Sequence, residues 1–581
     1  MPMAHYDLIL RGGLLVDGSG GEPVQGDLAI SDGLISAIGV IDGDGEREID
    51  VTGRVITPGF VDIHTHYDGQ AMWSERMNPS SAHGVTTVVL GNCGVGFAPC
   101  RAADHDLLIN VMEGVEDIPG VVMAEGLDWD WESFPQYLDA LDRRRRDIDI
   151  AAYLPHSPLR VFAMGARGAE RASATKDDLA LMRTLAREAI EAGALGFATS
   201  RTFIHRTASG LQIPSFDASN DELEAIAMGL SDAGGGILQA VLDVPQRSWA
   251  EEIGALREVA RRSGRPVTFT FAAPNGGPPI WQPVFDMLDD AKARGESLSA
   301  QIFPRPIGMI VGLELSTHPF AQCPGFQPIA ALPLAEKLAA MRDPVLRARL
   351  LSEAPIEGHP LAAMGRAWAW MFPLSDPPNY SPSADDSVAA RAARLQVSPE
   401  EVVYDLLLEE DGHAMLYVAL GNFHDGKLDV VRDMILHPGT ILGLGDGGAH
   451  YGAICDASYP TFMLAYWTRD RGHDRIPLAL AIRMLAHDPA RVVGLADRGL
   501  LAVGYKADVN VIDLDRLTLC KPMLSYDLPA GGRRLDQRAE GYDLTIVSGE
   551  IIAEHGVPTA ALPGRLVRGA QSAPSVVGVA A

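Results

Sequence analysis

Between residues 148 and 303 short apolar runs alternate with amphipathic segments, and this rhythm limits the fold more than any other feature of the chain. Residues 148–154 read as a strand that ends at Pro155-His156. Thr175-Lys176-Asp177-Asp178 is a helix start of the capping-box kind, with an acid where the third helical residue would be. Leu179, Met182, Leu185, Ala186, Ala189 and Ile190 then share one helical face, and Gly193 ends the helix. The unit repeats. Strands are expected at 196–200, 236–241, 266–271 and 298–303, and helices at 219–233, 248–262 and about 281–294. Strands separated by helices pair in parallel. At this length the expected closure is a (β/α)8 TIM barrel, with its site at the C-terminal ends of the strands.

Candidate chemistry sits at such strand ends. The apolar run 55–63, broken by Pro58 and Gly59, leads into His64-Thr65-His66. Alternate residues of an extended segment face one side, so both imidazoles can reach a single metal ion. Residues 85–90 form a second apolar run, followed by Gly91-Asn92-Cys93-Gly94. Imidazole and thiolate are common zinc ligands. Residues 439–446 read as the last barrel strand, with Asp446 at its tip, placed to ligate metal or take a proton.

PGFVDIHTH together with GVTTVVLGNCGVGFAP resembles the metal motifs of the amidohydrolase superfamily, in its N-acyl-D-amino-acid deacylase (D-aminoacylase) branch. HSPLRVFAMG, EAGALGFATS and the returning segment GLADRGLLAVGYKADVNVID extend the resemblance over most of the chain. It implies zinc, one or two divalent ions per chain, held by His64, His66, Cys93 and Asp446. Cys93 stands where that branch has a cysteine instead of a carboxylated lysine. The resemblance also implies that Asp446 acts as base towards water and as acid towards the leaving amine. The family pattern adds histidines after the fifth and sixth strands, where this chain has Leu238-Gln239-Ala240-Val241 and Thr268-Phe269-Thr270-Phe271. His156, His205 and His450 are the candidate substitutes. The deacylases bind the substrate carboxylate with a basic residue in the last loop, but here that loop, GGAHYGAICDASYPTFMLAYW, has no Arg or Lys. Arg201, Arg206 or Arg305 would have to serve, or the substrate is an uncharged amide, cyclic imide or aryl amide. A metal-free, non-catalytic relative is the competing reading. A redox role for Cys93 would need a resolving thiol, and Cys100 lacks the usual spacing.

The remaining sequence sets the boundaries. Short strands within 5–53 and the return at 495–567 suggest a small β-sandwich built from 1–57 and 495–567, around a barrel at 58–494. Residues 304–438 break the rhythm and read as an insertion over the barrel mouth, with helical pieces at 333–341 and 399–409. The tail 568–581 reads as mobile. Acidic residues number 76 against 48 basic, a net charge of −28, which argues against nucleic acid or an anionic membrane as partner. The five scattered cysteines suggest no disulfide framework, and no apolar run approaches the ~20 residues of a membrane span. A cytoplasmic enzyme acting on a small-molecule amide is expected, with homo-oligomerisation left open.

Overall fold

The computed structural model describes residues 4–244, 246–356 and 366–575. Pro58-Gly59 divides one apolar run between two sheets. Val55–Pro58 pairs antiparallel with Val509–Ile512 of the returning segment, and Phe60–Asp62 is the first barrel strand. The other seven barrel strands are Val85–Leu90, Asp149–Pro155, Gly196–Ser200, Ile237–Val241, Val267–Thr270, Leu298–Ile302 and Thr440–Leu442, all parallel and in sequence order. The barrel is nearly closed. Beyond the strand ends, His66 N donates to Gly447 O at 2.7 Å and Asp446 N to His64 O at 3.0 Å, joining last strand to first.

The helices form for the reasons read in the sequence. Thr175 and Asp178 complete a reciprocal capping box ahead of Lys176–Glu191, whose Met182, Ala186 and Ala189 are buried. Both termini build a nine-stranded mixed sheet, with Val509–Ile512 lying between Val55–Pro58 and Tyr542–Val547. The sandwich expected from the sequence takes the form of one continuous ladder, because His5–Leu15 pairs along its length with Val24–Ser31, Asp44–Asp50 and Val55–Pro58.

A buried charge cluster fastens this sheet to the barrel. Arg498 Nη1 donates to Asp149 Oδ2 at 2.7 Å, and Lys506 Nζ lies 3.1 Å from the same oxygen. Burial opposes ionisation of Asp149, but Lys506 and Arg498 outweigh it, so the carboxyl titrates below its ordinary range. Arg498→Leu is expected to lower stability by about 3 kcal/mol, read as a fall in urea midpoint, because it leaves a buried carboxylate short of its partner. A depressed carboxyl pKa adds stability above the unfolded-state value and loses it as pH falls through the folded one. The gap between wild type and variant should therefore narrow below about pH 4.

Two boundaries differ from expectation. The helix Asp429–Leu436 lies inside the expected insertion 304–438 but belongs to the barrel. Its Val430, Val431, Met434 and Ile435 join the main core, and Thr440 Oγ1 donates to Met434 O at 2.6 Å. The earlier part carries its own three-stranded sheet, Ile307–Val311, Leu416–Gly421 and Met371–Pro373, over a separate apolar cluster. The tail from 568 is anchored at its start: Gly569 N donates to Gly193 O and Gln571 N to Gly494 O, at 2.8 and 2.9 Å. Backbone donors and the Arg568 contact with Asp139 outweigh the small, weakly packing side chains that suggested mobility. Residues 576–581 of that tail lie outside the described residues. Among the described residues no helix is long and apolar enough to cross a membrane.

Candidate metal centre

The loop after the last strand is laid directly on the turn that carries the two histidines. Gly445 must be glycine there, since a Cβ would stand 1.9 Å from Asp62 Oδ2. Asp446 follows in the left-handed region at φ 48°, a conformation non-glycine residues adopt mainly where surrounding structure enforces it. Cys93 is held in the same unusual region, φ 56°, within the turn Asn92–Gly94, and its N–H donates to Gln239 Oε1 at 3.3 Å. Gly94 beside it packs so tightly on the fourth strand that a Cβ would meet Thr199 Cα at 2.8 Å.

These contacts bring side chains from the first, second and eighth strands into one cavity of about 280 Å³. His64 Nδ1 donates to Gln301 Oε1 at 2.7 Å, which leaves the Nε2 lone pair facing Cys93 Sγ at 3.3 Å and Asp446 Oδ1 at 3.5 Å. His66 is similarly disposed, with Nε2 3.7 Å from Asp446 Oδ1 and Nδ1 3.3 Å from Glu116 Oε1. Ligand atoms of His64, His66 and Cys93 all lie within 4.8 Å of one another.

Burial pulls His64 down to about 4 and His66 well below the ordinary imidazole value, with neighbouring histidines adding to the effect on His66. Both rings are therefore neutral at pH 7, as metal ligands must be. Burial pushes the Cys93 thiol well up, and Glu116 and Asp446 add to that. Burial likewise raises Glu116 and Asp446 themselves. His66 Nδ1 and Glu116 Oε1, though 3.3 Å apart, have no hydrogen-bond partner, and neither do Gln239 Nε2, Gln301 Nε2 and Thr268 Oγ1. Neutral imidazoles, a thiol and carboxyl groups gathered without a basic neighbour fit a borderline-soft divalent cation such as zinc.

Glu116 joins this site without standing next to a strand end in the sequence. It ends the helix His105–Glu116 and is 1% exposed. Its second oxygen is 3.6 Å from His450 Nε2, and its carbonyl accepts from the His450 N–H. A signal existed: Leu108, Met112 and Glu116 are spaced four apart, so the carboxylate continues the buried face of its helix.

The remaining candidates divide. His205 and His450 line the cavity. His156 does not: its Nδ1 meets Thr199 Oγ1 at 2.8 Å and its Nε2 meets Glu222 Oε1 at 2.9 Å. Pro155 turns the chain into the helix His156–Met164, which seats the ring between the fourth strand and the next helix. Arg201 Nη1 donates to Asn220 Oδ1 at 2.7 Å, with Glu252 beside it. Arg206 reaches back to Gly210 O at 3.1 Å. Arg305 is buried against Asp456 at 2.9 Å. None of the three arginines lines the cavity. The fifth and sixth strands offer it no histidine: Val241, Leu242, Thr270 and Phe271 face it instead. Cys93 and Cys100 are both free thiols.

A near-closed parallel barrel thus groups nitrogen, sulfur and oxygen donors at its strand ends, as a candidate metal centre. Residues 47–553 match the amidohydrolase family, and the chain belongs to it. It is 29% identical to a D-aminoacylase of Alcaligenes xylosoxydans xylosoxydans, over 87% of this chain and 88% of that protein. It is 25% identical to an N-acyl-D-glutamate deacylase of the same organism, over 97% and 96% of the two chains. A solved N-acyl-D-glutamate deacylase from Bordetella bronchiseptica, complexed with zinc and a phosphonate inhibitor, shares the fold with a TM-score of 0.63 at 22% identity, covering 97% of this chain and all of that one. A D-aminoacylase crystal structure gives the same TM-score, 0.63, and 22% identity, with the same coverage.

Proposed function

We propose that the protein hydrolyses the C–N bond of a small amide at a centre formed by His64, His66, Cys93 and Asp446. The observation that supports this most directly is the meeting of those four side chains at the ends of three barrel strands, in a cavity of small-molecule size. A divalent ion bound there supplies Lewis acidity, which brings the pKa of a water to about 7. Asp446, whose carboxyl is raised by burial, is suited to accept the proton of the attacking water and return it to the departing nitrogen. Gln301 fixes which nitrogen of His64 faces the site, and Glu116 is placed to do so for His66. Leu242, Trp249 and Phe271 give the cavity an apolar wall beside these groups.

The relatives named for their substrates act on N-acyl-D-amino acids, which makes that class the first to assay. Zinc-loaded protein is incubated with N-acetyl D- and L-amino acids, uncharged amides and cyclic imides, and amine release or ring opening is followed. Hydrolysis in any series supports the reading; none in all of them contradicts it and favours a non-catalytic relative. Glu116→Gln is expected to weaken zinc binding by about 10- to 100-fold, measured by competition with a chromophoric chelator. Unchanged affinity would show that His66 does not depend on Glu116.

A further inference from the structure

We infer that this cavity selects amides with no carboxylate beside the scissile bond, carrying an uncharged group in its place. The inference rests on the hydrolase reading above and names its substrate class. Among the described residues the cavity is lined by three carboxyl groups, a thiol and four histidines, with no lysine or arginine. Its walls are apolar: Ile204, Leu242, Val244, Trp249, Phe271 and Ile307.

The three candidate arginines are committed elsewhere. Arg305 is 1% exposed, donates to Asp456 Oδ1 at 2.9 Å and to Cys455 O at 2.8 Å, and lies 3.9 Å over the Tyr380 ring. It neutralises Asp456, the one lining carboxylate outside the centre. Arg201 is engaged with Asn220 and Glu252, and Arg206 with its own loop. A substrate carboxylate would lose its hydration there, with no lysine or arginine in the described lining to replace the lost water. A neutral group at that position would lose little hydration and gain contact with the walls.

The test uses the zinc-loaded full chain and matched pairs in which an uncharged group or hydrogen replaces the carboxylate: N-acetyl-D-leucine against N-acetyl-D-leucinol, N-acetyl-D-phenylalanine against N-acetyl-D-phenylalaninol, and 2-acetamidobenzoate against acetanilide. Acetate release gives kcat/KM for the same amide bond in every case. The neutral member is expected to be favoured by about tenfold or more in each pair that reacts. A preference for the acid, or parity, overturns the inference while leaving the hydrolase reading intact. If no member of any pair reacts, titration calorimetry of the same six compounds decides. Tighter binding of neutral members by about tenfold supports the inference, and tighter or equal binding of acids, or no binding at all, overturns it. A second arm separates charge from shape. Ile204 is 59% exposed at the cavity rim, so Ile204→Arg can place a guanidinium there without burial. It should shift the acid-to-neutral ratio about tenfold towards the acid; an unmoved ratio overturns a charge-based selection.

Discussion

Asp446→Asn is expected to lower kcat for amide hydrolysis by about 10³-fold, within the range that removal of a positioned acid–base group produces. Asparagine keeps the shape and the backbone geometry of the left-handed residue at φ 48°, a region that Asn tolerates well. The fold should therefore survive, and the backbone bond from residue 446 N–H to His64 O should persist. What is lost is a carboxylate that can take up and return a proton, 3.5 Å from His64 Nε2 and 3.7 Å from His66 Nε2. The loss should fall on kcat, with zinc content measured alongside, since Asp446 is also a candidate ligand. A variant that retains near-wild-type turnover would remove Asp446 from the chemistry.

Cys93→Ala is the second large effect. Burial and the carboxyl groups around it hold the thiol protonated in the absence of a cation, so ionisation and metal binding are coupled. Removing the sulfur leaves His64 Nε2 without its 3.3 Å neighbour and should weaken zinc binding by more than about 100-fold, beyond what loss of an outer partner costs. Because thiol deprotonation accompanies binding in the wild type, zinc affinity should rise with pH. That slope should be shallower in Cys93→Ala, which has one proton fewer to release. Equal slopes would place the thiol outside the centre.

Much of this was legible in the chain because it rests on local signals. The strand–helix alternation, the capping box at Thr175–Asp178 and the glycine-rich turns are short-range features, and the barrel followed from them. His64, His66, Cys93 and Asp446 stand next to strand ends, so barrel geometry alone brings them near each other. The residues that were missed act over distance. Glu116 comes from the end of a helix and not from a strand end, and Gln301 meets His64 across 237 positions of sequence. His156 looked equivalent to the other histidines, yet one proline turned it into a helix where Thr199 and Glu222 occupy both of its nitrogens. The arginines were open candidates because sequence does not reveal ion pairing, and Asp456 and Glu252 claim two of them. The helix Asp429–Leu436 was absorbed into the insertion because only its packing against the core marks it as part of the barrel.

The most direct test of the centre is zinc titration calorimetry on metal-depleted protein, wild type beside a His64→Ala, Cys93→Ala double variant. Saturable binding of at least one equivalent by the wild type, absent from the folded double variant, is the predicted result. Equal binding by the two proteins, or no binding by the wild type, would contradict a metal centre at these residues.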